Sequence, residues 1–276
     1  MELYTEVSYQ NSKHLTLSYS TSFGMSSRLF SKSIRQHIYA IYGLVRIADE
    51  IVDTYHGQQS LELLKELESD TYRAISIGYS ANPIVHAFAL TARDYQIDKT
   101  LIAPFFASMA MDLKPATYNE RLYGQYIYGS AEVIGLMCLQ VFCGQDKALY
   151  QQLSEGAKKL GAAYQKINFL RDIKADYHEL GRLYFPGVKF DSFNDSQKAA
   201  IIKDIRSDFE QASDYINKLP RSSQAAVRAS YDYYSKLLIK IEAVSIADLK
   251  ANRIRISDLA KISLLTVNLI RSRVKR

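Results

Sequence analysis

Gln165 to Asp176 reads QKINFLRDIKAD. Its polar residues recur at the step of one helical turn. Gly161, Gln165, Asn168, Asp172 and Asp176 lie along one side of a helix, and Leu160, Ala163, Ile167 and Leu170 run beside them. Residues three and four apart share a helix face, so the carboxylates border the apolar stripe that a core demands. Inward-facing polar groups in such a row are costly unless something there neutralises them.

Working back along the chain, Arg46 to Asp53 reads RIADEIVD and repeats the device. Ile34, Ile38, Ile41, Val45, Ala48 and Val52 form the apolar stripe, with Tyr42, Arg46, Asp49 and Asp53 alongside it. Glu50 points about 100° away from this row and reads as a solvated side chain. A single acidic pair four apart is ordinary on a solvated face. Two such pairs, each beside a core stripe and near an arginine (Arg46, Arg171), point to a shared binding task.

Apolar residues spaced by three and four recur almost throughout, while strand-like alternation is nearly absent. The pattern predicts an all-α bundle with helices near 5–20, 31–54, 60–78, 83–95, 99–112, 118–144, 147–177, 195–218, 222–247 and 255–272. The 276 residues contain 47% hydrophobic residues, 12 Gly and 5 Pro, with no linker-like or repeated tract, so one domain over 1–276 is expected. The longest apolar runs are about half the roughly 20 residues a membrane span needs. The first residues lack the basic and apolar regions of a signal peptide. Cys138 and Cys143 sit in an apolar segment and read as core thiols of a reducing compartment. A cytoplasmic protein is expected. From Lys250 onward eight Lys or Arg stand against one Asp, which makes the C-terminal segment basic and the remainder nearly neutral. A charge confined to one end suits anionic lipid or a phosphorylated substrate better than nucleic acid, and no nucleic-acid partner is expected.

Oxygen donors without His or Cys favour a hard cation. Magnesium takes a few carboxylates, several waters and, commonly, phosphate oxygens of a substrate. Two aspartate pairs on facing helices could gather such ions around a diphosphate, and structural ion pairing with nearby Lys and Arg is the competing account.

At these residues the chain resembles the squalene and phytoene synthase family. RIADEIVD resembles the family's first signature, Arg-x-x-Asp-Asp-x-x-Asp, with Glu50 at the middle Asp. QKINFLRDIKAD followed by GRLYFP (181–186) matches the second throughout. YGSAEVIG (128–135) resembles a third segment, with Glu132 in place of a glycine and so a carboxylate expected beside the cavity. STSF (20–23) matches the early Ser-x-Ser-Phe, and Tyr19 stands where some relatives carry a histidine. The likeness extends from about residue 11 to 265.

The resemblance implies an isoprenoid-synthase fold, antiparallel helices around a central cavity. It implies coupling of two allylic prenyl diphosphates through a cyclopropyl diphosphate. Carried over, Asp49, Asp53, Asp172 and Asp176, with Asn168, would hold Mg2+, or Mn2+ as a substitute. Arg46, Gln165, Asn168 and Arg171 would hold diphosphate, and Tyr128 would lie near the leaving group. Arg253 or Arg255 would make a late diphosphate contact, while Ser20, Ser22, Phe23 and Tyr42 would border the substrate. The short form and the second motif look most like those of bacterial phytoene synthases, which join two geranylgeranyl diphosphates without reductant, so no NADPH is expected. Farnesyl diphosphate users making presqualene diphosphate, dehydrosqualene or squalene are the nearest alternative. A class I terpene cyclase and a non-catalytic helical scaffold fit less well. Because substrate and product are lipids, loose association with the inner face of the membrane is expected.

Overall fold

A computed structural model of the chain describes residues 2–55, 57–114, 118–257, 261 and 268. Helices form where the apolar spacing predicts them. They are α1 (Glu2–Tyr19), α2 (Thr21–Ser26), α3 (Lys32–Asp53), α4 (Ser60–Ile77), α5 (Pro83–Asp94) and α6 (Lys99–Asp112). Then follow α7 (Glu120–Ile127), α8 (Val133–Cys143), α9 (Lys147–His178), α10 (Asp195–Ile216), α11 (Arg221–Ala243) and α12 (Ile246–Ala251). Side chains at the starts supply the missing backbone acceptors. Asn82 accepts from Ile84 and Val85 with Pro83 at the first helical position, Asp146 accepts from Leu149, and Asn194 and Gln197 form a reciprocal capping box.

Three differences from the sequence expectation have local causes. Ser20 caps a short helix, α2, by accepting from Phe23 N–H, and such a cap leaves no periodic signature in six residues. Ser245 caps α12 in the same way. Residues 253–257 are not helical, so the helix expected over 255–272 does not begin there; most of that range lies outside the described residues.

The segment expected as one helix over 118–144 is continuous but carries a π turn at Tyr128–Glu132, where Val133 N–H donates to the carbonyl five residues back, at Tyr128. The span Glu120–Cys143 is therefore 24 residues long with mean hydropathy 1.4 in its most apolar window, long and apolar enough to cross a bilayer. It packs instead against α3, α6 and α9, with 56% of that window buried, as a core helix does.

Two apolar clusters fill the bundle. One centres on α3, α5, α6 and α8, with Ile38, Ile41, Val85, Phe88, Phe105 and Met137 buried. The other joins α9, α10 and α11 to the segment after α9, through Ile167, Leu170, Phe185, Ile205, Leu237 and Ile241. Leu160 and Tyr231 pack against both. Between α9 and α10, Lys166 bridges Asp204 at 2.5 Å and Asp208 at 2.7 Å, and Lys159 reaches Asp208 at 3.0 Å, so the buried Asp208 is paired.

The π turn and α8 approach α9 closely through glycines. A Cβ at Gly161 would lie 2.6 Å from the carbonyl oxygen of Ala131, and one at Gly135 would lie 2.6 Å from that of Ala157. Backbone atoms cannot step aside cheaply. Gly161→Ala is therefore expected to destabilise the protein by ~1–3 kcal/mol, as overpacking does, seen as a fall of several degrees in melting temperature. An unchanged melting temperature would show that the two helices have slack at this crossing.

Candidate active site

The two clusters enclose a cavity of about 880 Å³ walled by α2, α3, α6, the π turn, α8, α9, α11 and residues 253–256. All four predicted aspartates line it, and so do Arg46 and Arg171. Asp53 ends α3, and Asp176 lies two residues before the end of α9. Helix C-termini carry partial negative charge, so the acidic groups gather where the backbone already disfavours them.

The electrostatic consequences are large. Burial, then the charge of Asp53, pushes the Asp49 carboxyl up to about 8 although Arg46 opposes the shift. Burial, then Asp172, pushes Asp176 up to about 8, with Arg182 opposing. Asp49 nevertheless keeps 30% of its side chain open to the cavity, so a ligand can reach it.

Arginines compensate part of this charge. Arg171 grips Asp172 through both Nε (3.0 Å) and Nη2 (2.5 Å), and Arg253 Nε lies 2.7 Å from Asp172 Oδ1. Arg182 Nη1 donates to Asp53 Oδ1 at 2.5 Å. Arg46 stands 3.9 Å from Asp49, and its guanidinium covers the Tyr19 ring 4.3 Å from the centroid.

Other expected residues also reach the cavity. Ser20, Ser22, Phe23 and Tyr42 line one side, where the Phe23 and Tyr42 rings stack with centroids 5.3 Å apart. Gln165 donates to Ser130 Oγ at 3.4 Å, and Asn168 accepts from Tyr234 OH at 3.4 Å. Tyr234 stacks on Tyr164 at 4.0 Å, giving the wall beside Arg171 an aromatic face. Arg253 and Arg255 both line the cavity.

Three expectations are corrected. Tyr128 is not on the wall. Tyr126, Ser130, Ile134, Cys138 and Phe142 face the cavity at steps of four, and Tyr128, about 200° round from Tyr126, packs into the first core cluster. Glu50 is not simply solvated: it takes an ion pair from Arg46, whose charge and hydrogen bond outweigh burial and hold its carboxyl below the usual range. Glu132 is not on the cavity wall either. It is half-buried, its carboxyl raised by burial while the charges of Lys158 and Lys159 oppose the rise.

The structure adds four residues that the sequence reading passed over as site residues. Asp112, at the end of α6, accepts from Tyr126 OH (2.6 Å) and Tyr184 OH (3.0 Å) and faces Arg182 Nε at 3.7 Å. Burial raises its carboxyl to about 6, against the lowering pull of Arg182. Arg182 and Tyr184 belong to GRLYFP, so their signal was present. Asp112 closes the apolar run PFFASMAMD with no acidic partner in register, and nothing in the sequence marks it.

Among the described residues no three acidic or imidazole side chains converge into a ready-made metal cage. The donor chemistry still suits a hard cation. All the acidic groups offer oxygen, and two of them are pushed upward by burial and then by the charge of a neighbouring aspartate, which a cation would offset. A ligand's own phosphate oxygens would complete such a coordination shell.

Comparison with known proteins gives the family and the fold. The family model described as squalene/phytoene synthase matches residues 17–259. The chain is 26% identical to 4,4'-diapophytoene synthase of Staphylococcus haemolyticus, over 74% of this chain and 70% of that protein. It is 31% identical to phytoene synthase of Arthrospira platensis over 65% of this chain, and 27% identical to phytoene synthase 1 of Zea mays over 82%. It spans only 61% and 59% of the length of those two relatives. A dehydrosqualene synthase crystal structure superposes with a TM-score of 0.82 at 21% identity, covering 98% of both chains. Squalene synthase HpnC of Alicyclobacillus acidocaldarius superposes at 0.73 and 18%, covering 91% of this chain and 97% of that one. The all-helical architecture is shared. The chain belongs to the squalene/phytoene synthase family, whose members are prenyltransferases that join prenyl diphosphates head to head.

Proposed function

We propose that the protein condenses two geranylgeranyl diphosphates into phytoene. The observation that carries this reading is the meeting of two aspartate pairs and their arginines at one end of a deep apolar cavity. One allylic carbon–oxygen bond breaks, and the double bond of the second substrate attacks the cation. Loss of a proton then closes the cyclopropyl (prephytoene) diphosphate. When its diphosphate leaves, the ring opens, the two former diphosphate-bearing carbons become joined, and loss of a second proton makes the central double bond without a reductant.

In this reading Asp49, Asp53, Asp172 and Asp176, with Asn168, hold Mg2+. Magnesium would neutralise the negative charge that develops on the departing diphosphate. Arg46, Arg171, Arg253 and Arg255 supply charge-assisted hydrogen bonds to its oxygens. Deeper in, Phe105, Ile134, Leu160 and Phe142 present only hydrocarbon, and so no nucleophile, to a carbocation. The faces of Phe23 and Tyr42 and of Tyr164 and Tyr234 stabilise positive charge.

Cavity depth supports the longer substrate. Along α9 the wall runs from Asp172 to Leu153, about 28 Å at 1.5 Å per residue. An extended chain advances roughly 1.2 Å per bond, so a geranylgeranyl chain of sixteen bonds needs roughly 19 Å on that rise. A farnesyl chain needs roughly 14 Å, about half the depth. The cyanobacterial and plant phytoene synthases among the relatives support the same choice. The second reading, farnesyl diphosphate as substrate, is favoured by the similarity to 4,4'-diapophytoene synthase.

Purified protein given each diphosphate should yield phytoene from the longer one with Mg2+ and without NADPH, identified by mass, and no product in EDTA. Turnover from farnesyl diphosphate alone would overturn the substrate assignment. Asp49→Asn and Asp172→Asn should each lower turnover at least ~10²-fold, the scale of losing one electrostatic contact to the transition state, with circular dichroism unchanged. Near-normal rates in either variant would remove the diphosphate clamp.

The raised carboxyls give a second test. Burial and a neighbouring aspartate push Asp49 and Asp176 up to about 8, from an ordinary carboxyl value of 3.8. The folded protein therefore binds more protons than the unfolded chain between these values, and metal-free stability falls as pH rises from about 4 to about 8. Asp49→Asn should flatten that fall in melting temperature, and Mg2+ added with diphosphate at pH 7 should release protons, measurable by calorimetry in buffers of differing ionisation heat. A fall of equal steepness in Asp49→Asn would place the titration elsewhere.

Loose association with the inner face of the cytoplasmic membrane completes the proposal. Its support is the exposed rings of Tyr19 and Tyr55 together with Arg253 and Arg255 on the cavity wall. The basic residues 271–276 lie outside the described residues. Cosedimentation with anionic liposomes should exceed that with neutral ones and weaken in salt; equal recovery with both would argue against it.

A further inference from the structure

The two acidic pairs repel each other, yet they sit on helices from opposite core clusters. Something must hold them at a fixed span. Arg182 lies just past α9, after a reversal at Gly181 (φ +65) that a side chain would strain. Its backbone N–H donates to the Asp176 carbonyl at 2.7 Å, tying it to the second pair. Its guanidinium crosses to α3, where Nη1 binds Asp53 Oδ1 at 2.5 Å and Nη2 binds the Val52 carbonyl at 2.9 Å. Nε faces Asp112 at 3.7 Å, and Asp112 is held from its other side by Tyr126 and Tyr184. Arg182 itself is only 8% exposed.

We infer that Arg182 is a positioning residue that sets the distance between the two aspartate pairs, with Asp112 as its anchor. The planar guanidinium is suited to this because its donors diverge in fixed directions. One edge caps the Val52 carbonyl at the end of α3 and orients Asp53 through Oδ1, so the carboxylate meets a cation in one presentation. Asp112 restrains the guanidinium from the side of α6. Its two tyrosine donors occupy both carboxylate oxygens and hold it on the cavity wall in one orientation. One residue thereby joins the second acidic helix through its backbone to the first acidic helix and α6 through its side chain, and the cation site inherits its width from that junction.

This inference rests on the magnesium–diphosphate reading above, and the test separates the two. Mg2+ uptake in the presence of inorganic diphosphate is measured by titration calorimetry, and turnover is measured against Mg2+ concentration. Arg182→Gln should raise half-saturating Mg2+ about 10–100-fold, the scale for residues that orient metal ligands. Arg182→Lys should recover part of the loss by restoring charge without the fork. Asp112→Asn keeps its shape but loses the charge that restrains Nε, and should shift Mg2+ affinity in the same direction by a smaller factor. Arg206→Gln, which removes an exposed pair with Glu242 between α10 and α11, should leave both readouts unchanged.

If Arg182→Gln and Asp112→Asn lower the melting temperature but keep wild-type Mg2+ affinity, Arg182 is a structural tie only and the inference falls. If Arg182→Gln does not fold, Asp112→Asn decides alone. If the wild-type protein takes up no Mg2+ with diphosphate, the proposed function itself fails.

Discussion

Like charge held together against its own repulsion is the constraint on which this molecule depends. Asp49 with Asp53 and Asp172 with Asp176 occupy the C-terminal turns of α3 and α9, where helix dipoles add to the cost. Burial and mutual repulsion push two of these carboxyls far above their ordinary range. Such an arrangement persists only because the surrounding core and the arginines over-determine it. Under the function proposed above, it is also what would suit the site to a hard cation bearing phosphate.

The rest of the fold follows from that requirement. Two apolar clusters supply the rigidity, and the cavity lies between them because neither α3 nor α9 buries its polar row in its own cluster. Glycines at 135 and 161 bring the π turn against α9, which places Ser130 within reach of Gln165. The π turn shifts the register of a long helix so that one face, in steps of four from Tyr126 to Phe142, descends the cavity wall. Dryness below and charge above are thus produced by the same helices.

The pairing of the site arginines bears on the proposed function. Arg171 and Arg253 both rest on Asp172, and Arg46 rests on Glu50. These guanidiniums are already neutralised, so diphosphate would exchange partners with the aspartates instead of meeting bare charge. Glu50 departs from the family's usual aspartate, and its longer side chain reaches Arg46 one turn away while Tyr19 covers the guanidinium. Two departures in the sequence therefore meet at one arginine.

By itself the sequence determined the helices, because a 3.6-residue period in apolar side chains is a local property of the chain. It also determined that two aspartate rows border the core and that Arg46, Gln165, Asn168 and Arg171 accompany them, since each row lies within one helix. Only the tertiary structure decided that both rows line one cavity, that Tyr126 and not Tyr128 faces it, and that Asp112 and Arg182 join the cluster. Facing across 129 residues, as Arg182 and Asp53 do, depends on how separate helices pack. Which of Tyr126 and Tyr128, on opposite sides of one helix, faces the cavity depends on how that helix is set against α6 and α9, which hydrophobic spacing does not resolve.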